Sequence, residues 1–311
     1  MWRASVLVMA LVACASAADQ PPPNLSPARA SSDDDRAADL PEVTDLGPAI
    51  VLERGRLTQG GLTFWRTEPG SEAFLNGKLI EVDRDGYFVA GFGRDYDGSA
   101  ELRVVFPDGT TETRDLEITD RDFPESRITI ADDTKVNPFS AEDLAQIAEE
   151  RDLKNAAREN VARTAYWRAG FDWPVEGRIS GVFGSRRIYN GEPRRPHSGV
   201  DVAAPPGTTP MEFQGTDVRA PSSGVVTLAE PDMFFEGGTI FIDHGLGLES
   251  TLLHLSRVDV RPGQVVNKGQ VVGAVGMTGR ATGPHLHWGL NWNRQPIDAQ
   301  LVAGPMSLDE E

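Results

Sequence analysis

The run VDVRPGQVVNKGQVVGAVG at 258–276, followed by HLHWGLNW at 285–292, decides how the larger part of this chain folds. Short stretches alternate apolar and polar residues, β-branched side chains dominate them, and Gly-containing turns separate them, which predicts antiparallel strands rather than helix. GVVTLAEP at 224–231, GTIFIDHG at 238–245 and STLLHLS at 250–256 have the same texture. An all-β domain is therefore expected over 171–303. Gly276, Gly279 and Gly283 lead into a strand rather than a helix N-terminus, so a dinucleotide site is not expected there.

Working towards the N-terminus, 138–170 is predicted to be a helical linker. Ser140 stands three residues before Asp143 as in a capping box, and Phe139 and Leu144 are spaced for a hydrophobic staple. Leu153, Ala157, Val161 and Ala165 recur every four residues as a narrow stripe, with Gly170 as the stop. Before it, 45–132 holds LTFW, KLIEV, YFVAGF, ELRVVF and TRDLEI, separated by Asn76-Gly77, Asp85-Gly86 and Asp108-Gly109, which predicts a small accessory β-sandwich. It contains no histidine, so it is read as a spacer or as a module that binds other envelope proteins. Residues 19–44 carry a Pro triplet, an Asp triplet and few apolar residues, and are expected to be a disordered tether.

The first 18 residues read as a secretory signal: Arg3, a short apolar core and small residues at Ala15-Ser16-Ala17. Leu11-Val12-Ala13-Cys14 is similar to a lipobox, in which case Cys14 becomes the acylated first residue. Both readings export the chain to the periplasm or cell envelope, and no later segment is apolar enough for a transmembrane helix.

With 311 residues and a formal charge of −17, the chain is large enough for two cores and too acidic to hold nucleic acid by bulk charge. Its single cysteine rules out a disulfide framework and a thiolate metal site. Metal ligands would have to be histidines and carboxylates.

All five histidines, His197, His244, His254, His285 and His287, fall within the C-terminal β region. His285 and His287 share a strand face, roughly 7 Å apart at Cα, so both rings can approach one ion. His197 and Asp201 would sit about 13 Å apart on a straight strand, so the chain must bend between them, and Gly199 is read as the bend. His244 reads as a turn residue and His254 as sharing a face with Leu252. A site of two imidazoles and one carboxylate suits Zn2+ with a position left for water. Spacing leaves open which histidine is spare.

HSGVDVAAPPGT at 197–208, TLLHLS at 251–256 and TGPHLHWGL at 282–290 resemble the LytM-type, or lysostaphin-like, zinc metallopeptidases. FGSRRIYNG at 183–191 and VRPGQVVNKGQVVGAVGMTG at 260–279 extend the resemblance over about 171–297. It implies a Gly-rich antiparallel β fold (LytM-type, duplicated hybrid motif) with a long groove, and hydrolysis of the peptide cross-links of peptidoglycan. On this resemblance His197, Asp201 and His287 bind zinc, and His254 and His285 act as general base and transition-state stabilisers. Other members have lost metal ligands and instead activate or scaffold cell-wall amidases; the intact set here favours the endopeptidase. TPMEFQGTD at 209–217 is an insertion relative to the family, read as a lid or a surface bulge. Arg186, Arg187, Arg194 and Arg195 are read either as contacts for stem-peptide carboxylates or as solvated loop charges.

Overall fold

The computed structural model describes residues 49–129, 139–159 and 161–306. The expected signal peptide, the Cys14 lipobox and the 19–44 tether lie outside them. The fold is mainly β, as the alternation implies.

The N-terminal β region consists of two small sheets. Strands Ile50–Gly55, Leu62–Thr67 and Tyr87–Gly91 form one, and Lys78–Ile80, Glu72–Leu75, Ser99–Val105 and Thr111–Glu117 the other. Along Ser99–Val105 the period of two is explicit: Ala100, Leu102 and Val104 are buried while Ser99 and Glu101 are exposed. Asn76 and Gly77 both have left-handed φ, 50° and 74°, the pair that a tight two-residue hairpin needs between Leu75 and Lys78.

The C-terminal region is built on a larger antiparallel sheet. Its strands run in the order Val265–Val266, Gly224–Met233, Gly237–Gly245, Leu248–Leu255, His285–Trp292, Val200–Ala203 and Arg178–Gly181, with Gln295–Ile297 also paired to His285–Trp292. One face buries Ile240, Ile242, Leu252, Leu286, Trp288 and Leu290 completely. Register places Asp243, Glu249 and Asn291, then Thr251 and Gly289, then Leu253 and His287, on the opposite face. That second face carries the site.

The two β regions share an apolar core running from Ile50 to Met306. Arg121 Nη2 pairs with the buried Asp298 at 2.9 Å, and Asp298 donates its backbone N–H to Gly60 O. Strand Glu125–Ile128 pairs in parallel with Arg186–Tyr189, so a piece of the N-terminal half is woven into the C-terminal one.

The helix is shorter than the four-residue stripe implies. It spans Ala141–Ala156, with the Ser140–Asp143 capping box in place. Phe139 packs on Phe234 and Phe235 instead of stapling to Leu144, which is 54% exposed. Beyond Ala156 the backbone is taken by the sheet: Asp243 accepts from Ala162 N at 2.6 Å, and Ala162 O accepts from Leu246 N. Val161, expected in the stripe, is 46% exposed. A short 3-10 turn, Tyr166–Ala169, then buries Trp167, and Gly170 ends it at φ 80°. Lys154 of the helix pairs with Glu236 in the turn between Gly224–Met233 and Gly237–Gly245, and Arg158, just beyond the helix, makes a forked pair with Glu249 on the site-bearing face. Among the described residues no helix is long and apolar enough to cross a membrane.

The 209–217 insertion forms a helical turn, Pro210–Phe213, capped reciprocally by Thr209 and Glu212. Phe213 anchors it in the core, and Met211 projects at 68% exposure.

Candidate metal centre and its cleft

Antiparallel pairing of Val200–Ala203 with His285–Trp292 sets Asp201 directly opposite His287. Residues so paired have Cβ atoms about 5 Å apart, which explains why His287 Nδ1 lies 2.9 Å from Asp201 Oδ1. His197 precedes the strand and is held through its own backbone: its N–H donates to Ser185 O, and its carbonyl accepts from Gly184. Its ring Nδ1 contacts Val182 O at 3.0 Å, which turns Nε2 towards Asp201 Oδ1 and His287 Nδ1, both 3.0 Å away. Ligand atoms of His197, Asp201 and His287 all lie within 4.8 Å of one another, and all three residues are buried.

Gly199 lies at the expected bend, just before strand Val200–Ala203, and has a second role as well. A Cβ at this position would sit 2.8 Å from His287 Nε2 and 2.4 Å from Trp288 O. Glycine is needed for space beside the ring.

The donor set fits a divalent cation. A carbonyl can only accept, so His197 carries its proton on Nδ1 and presents a lone pair at Nε2. Burial lowers the His197 pKa to about 4, against the pull of Asp201, so the ring is neutral at physiological pH. Its lone pair therefore faces a carboxylate oxygen at 3.0 Å, an arrangement that a cation between them makes favourable. Burial alone would raise the pKa of Asp201, but the polar groups packed around it outweigh this and hold it well below the usual carboxylate range. Arg187 Nη2 takes the other carboxylate oxygen at 2.6 Å and donates through Nη1 to Tyr189 OH. Of the four arginines read as substrate contacts, Arg187 thus serves Asp201.

The other histidines divide sharply. His254 has φ 65°, and this one left-handed residue shifts the strand register, so that its ring lies 4.8 Å from that of His285 and 6.3 Å from that of His287. Regular alternation would have put it with Leu252 on the core face; the distortion turns it to the site. Thr278 O receives Nδ1–H of His254 and Gly283 O that of His285, which leaves Nε2 of each ring as the basic atom. Burial, helped by the neighbouring His285 and His287, pushes the His254 pKa down to about 3. His285 Nε2 stands 3.8 Å from Asp201 Oδ1. His244 lies on the core side, fully buried between Ser223 O and Ser250 Oγ, and takes no part in the cluster.

The cluster forms part of the lining of a cleft of about 570 Å³. Its walls include Ser126 and Ile128 from the N-terminal half, Pro210 from the insertion, and Tyr189, Phe235 and Arg280. Pro210 belongs to the insertion read as a lid or a surface bulge, and Tyr189 to the segment that extends the family resemblance, whereas Ser126, Ile128, Phe235 and Arg280 carried no signal in the sequence.

Residues 195–299 match the family described as Peptidase family M23. The chain is 30% identical to a Pseudomonas aeruginosa protein whose crystal structure is described as peptidase M23, covering 80% of this chain and 95% of that one with a TM-score of 0.59. It is 41% identical over 131 residues to the DD-carboxypeptidase/endopeptidase Mpg of Neisseria meningitidis, and 38% identical over 138 residues to the peptidoglycan DD-endopeptidase ShyA of Vibrio cholerae. These alignments cover 42% and 43% of this chain but only 28% and 30% of those relatives. The match over nearly the whole of the Pseudomonas structure, together with the family match across the histidine segments, shows that the chain belongs to peptidase family M23, whose cofactor is zinc.

Proposed function

We propose that the protein is an exported zinc endopeptidase that hydrolyses peptide cross-links of bacterial peptidoglycan. The observation that carries this reading is the convergence of His197 Nε2, His287 Nδ1 and Asp201 Oδ1 on one point in the wall of an open cleft. Those three atoms would hold the zinc. When bound, zinc supplies a Lewis acid for the scissile carbonyl and makes a water acidic enough to attack near neutral pH.

The protein's own side chains do the rest. His254 and His285 each turn Nδ1 to a backbone carbonyl and keep Nε2 for the reacting atoms, so one accepts the proton of the attacking water and delivers it to the departing amine. The other, 4.8 Å away ring to ring, is a second polar group beside the place where the oxyanion develops. Arg187, bound to the second carboxylate oxygen, keeps Asp201 aimed. The relatives named as peptidoglycan endopeptidases support the substrate class. The alternative, a non-catalytic activator or scaffold for an amidase, does not require the two basic imidazoles held beside the ligand set.

The test is mass spectrometry of muropeptides released from sacculi by the wild type and by His287→Ala, with zinc content measured on both. The wild type is expected to hold about one zinc and release new peptide ends, and His287→Ala to lose both, with a rate at least about a thousandfold lower. A zinc-loaded wild type that releases nothing would favour the activator.

A further inference from the structure

His254 is turned to the site by a break in the sheet, and a side chain from elsewhere sits in that break. Between strands Gly237–Gly245 and Leu248–Leu255 the register runs Ile240 opposite Leu252 and then Gly238 opposite Leu255, so Thr239 alone faces the two residues Leu253 and His254. This is a β-bulge of one extra residue, a device that re-aims a side chain. His254 carries the distortion at φ 65°, a conformation that a non-glycine residue keeps only where its surroundings fix it from several sides.

Thr278 supplies much of that fixing. It lies in the connection between strands Val271–Ala274 and His285–Trp292, on neither side of the bulge. Its hydroxyl enters between the two bulged strands, accepting from Gly238 N at 2.8 Å and donating to Leu255 O at 2.9 Å. Its carbonyl accepts Nδ1–H of the His254 ring at 2.9 Å. One residue thus ties the backbone next to the bulge and the ring that the bulge re-aims. The backbone N–H of His254, donated to Glu236 O at 2.8 Å, is the complementary tie from the opposite strand end.

The hydroxyl is closely seated. A Cβ on Gly237, which has φ 63°, would stand 2.1 Å from Thr278 Oγ1, and one on Gly238 would stand 2.3 Å from Leu255 O. The glycine pair leaves room for an oxygen between the strands, and that oxygen meets a backbone donor on one side and a backbone acceptor on the other. A hydroxyl satisfies both at once, whereas a methyl group in its place satisfies neither.

We propose that Thr278 is a positioning residue whose hydroxyl braces the bulge at Leu253–His254 and so holds the His254 imidazole where the reaction needs it. This rests on the peptidase reading and deepens it, because it names the group that sets the geometry of one of the two imidazoles beside the ligand set. The His254 ring lies 4.8 Å from that of His285 and 6.3 Å from that of His287, so a small rotation of its backbone changes what Nε2 can reach.

The experiment compares the full-length, zinc-loaded wild type with Thr278→Val and Thr278→Ser. Each is assayed on muropeptides for kcat and KM, with zinc content, melting temperature and the nitrogen resonances of the histidine rings recorded alongside. Thr278→Val keeps the branched shape and loses both hydroxyl bonds. It should lower kcat by about ten- to a hundredfold with KM and zinc content unchanged, and it should move the His254 ring resonances. Thr278→Ser keeps the hydroxyl and should recover most of that loss. A threonine that only stabilised the fold would lower the melting temperature and leave kcat of the folded, zinc-loaded enzyme as it was. Should Thr278→Val not fold, Thr278→Ala loses the same two bonds without the γ-methyl groups and is read by the same signals. If the wild type cleaves nothing, the peptidase reading fails, while the His254 resonances in Thr278→Val still decide this one. An unchanged kcat or unchanged His254 resonances in zinc-loaded Thr278→Val, or a loss in Thr278→Ser as large as that in Thr278→Val, overturns the proposal.

Discussion

The two β regions follow the same alternating rule but treat buried polarity in opposite ways. In the N-terminal region each buried polar side chain is satisfied close by. Thr63 donates to Ala90 O and accepts from Trp65 Nε1, Ser71 donates to Glu68 O, and Asp83 accepts from Asp85 N and Tyr87 N. Such groups stabilise their own turns and ladders and offer nothing to a ligand. In the C-terminal region His197, Asp201 and His287, separated by up to ninety positions, converge on one point while Val182 O holds His197 and Arg187 holds Asp201 from behind. Buried polar groups that satisfy one another are scaffold, whereas those that converge with lone pairs in common mark a binding centre.

That contrast can be broken most forcefully at Gly199. Ala at this position would push against His287 and the backbone of Trp288. A displacement of about 1 Å in a reacting group costs on the order of a hundredfold in rate, so Gly199→Ala is expected to fall at least that far in muropeptide release and to bind zinc more weakly. Unchanged turnover and zinc affinity would mean that the His287 ring does not need this space.

Acid provides the next test, now on the core side. Burial lowers the His244 pKa to about 4, so the folded state refuses a proton that the unfolded chain accepts below about 6.5. Stability from this group is therefore complete above pH 6.5 and is lost as pH falls towards 4. By pH 5 the loss should be about 2 kcal/mol, and His197 and His254 should add to it once zinc is chelated. Urea unfolding at pH 7 and pH 5 in chelator measures it, and a flat profile would contradict the buried neutral rings.

The smallest expected effect lies in the N-terminal region. Gly77 sits at φ 74°, and a methyl group added there would meet nothing within 4 Å, so Gly77→Ala should cost only the left-handed strain, about 1 kcal/mol, with zinc content unchanged. A loss of zinc from this variant would show that the two regions are coupled more tightly than their hydrogen bonds imply.

Much of this was legible beforehand because it is local. Alternation, Asn76-Gly77, the Ser140–Asp143 cap and the shared face of His285 and His287 each depend on a few neighbouring residues, and each is found in the fold. The helix beyond Ala156 was not legible, because Asp243 and Glu249 on distant strands compete for the segment that would have continued it. The orientation of His254 was hidden too, since the backbone distortion that turns it depends on how its strand pairs with the neighbouring one.

The amino-acid order by itself therefore settled the β class, the histidine-rich half and the candidate ligands, because strand period and residue chemistry do not depend on distant partners. Tertiary structure alone decided that Asp201 faces His287, that Arg187 backs the carboxylate, how the His254 ring is turned to His285 and His287, and that strand Glu125–Ile128 and Arg280 wall the cleft. Those are outcomes of strand register and of the packing of segments far apart in the chain, and no short window of residues contains either.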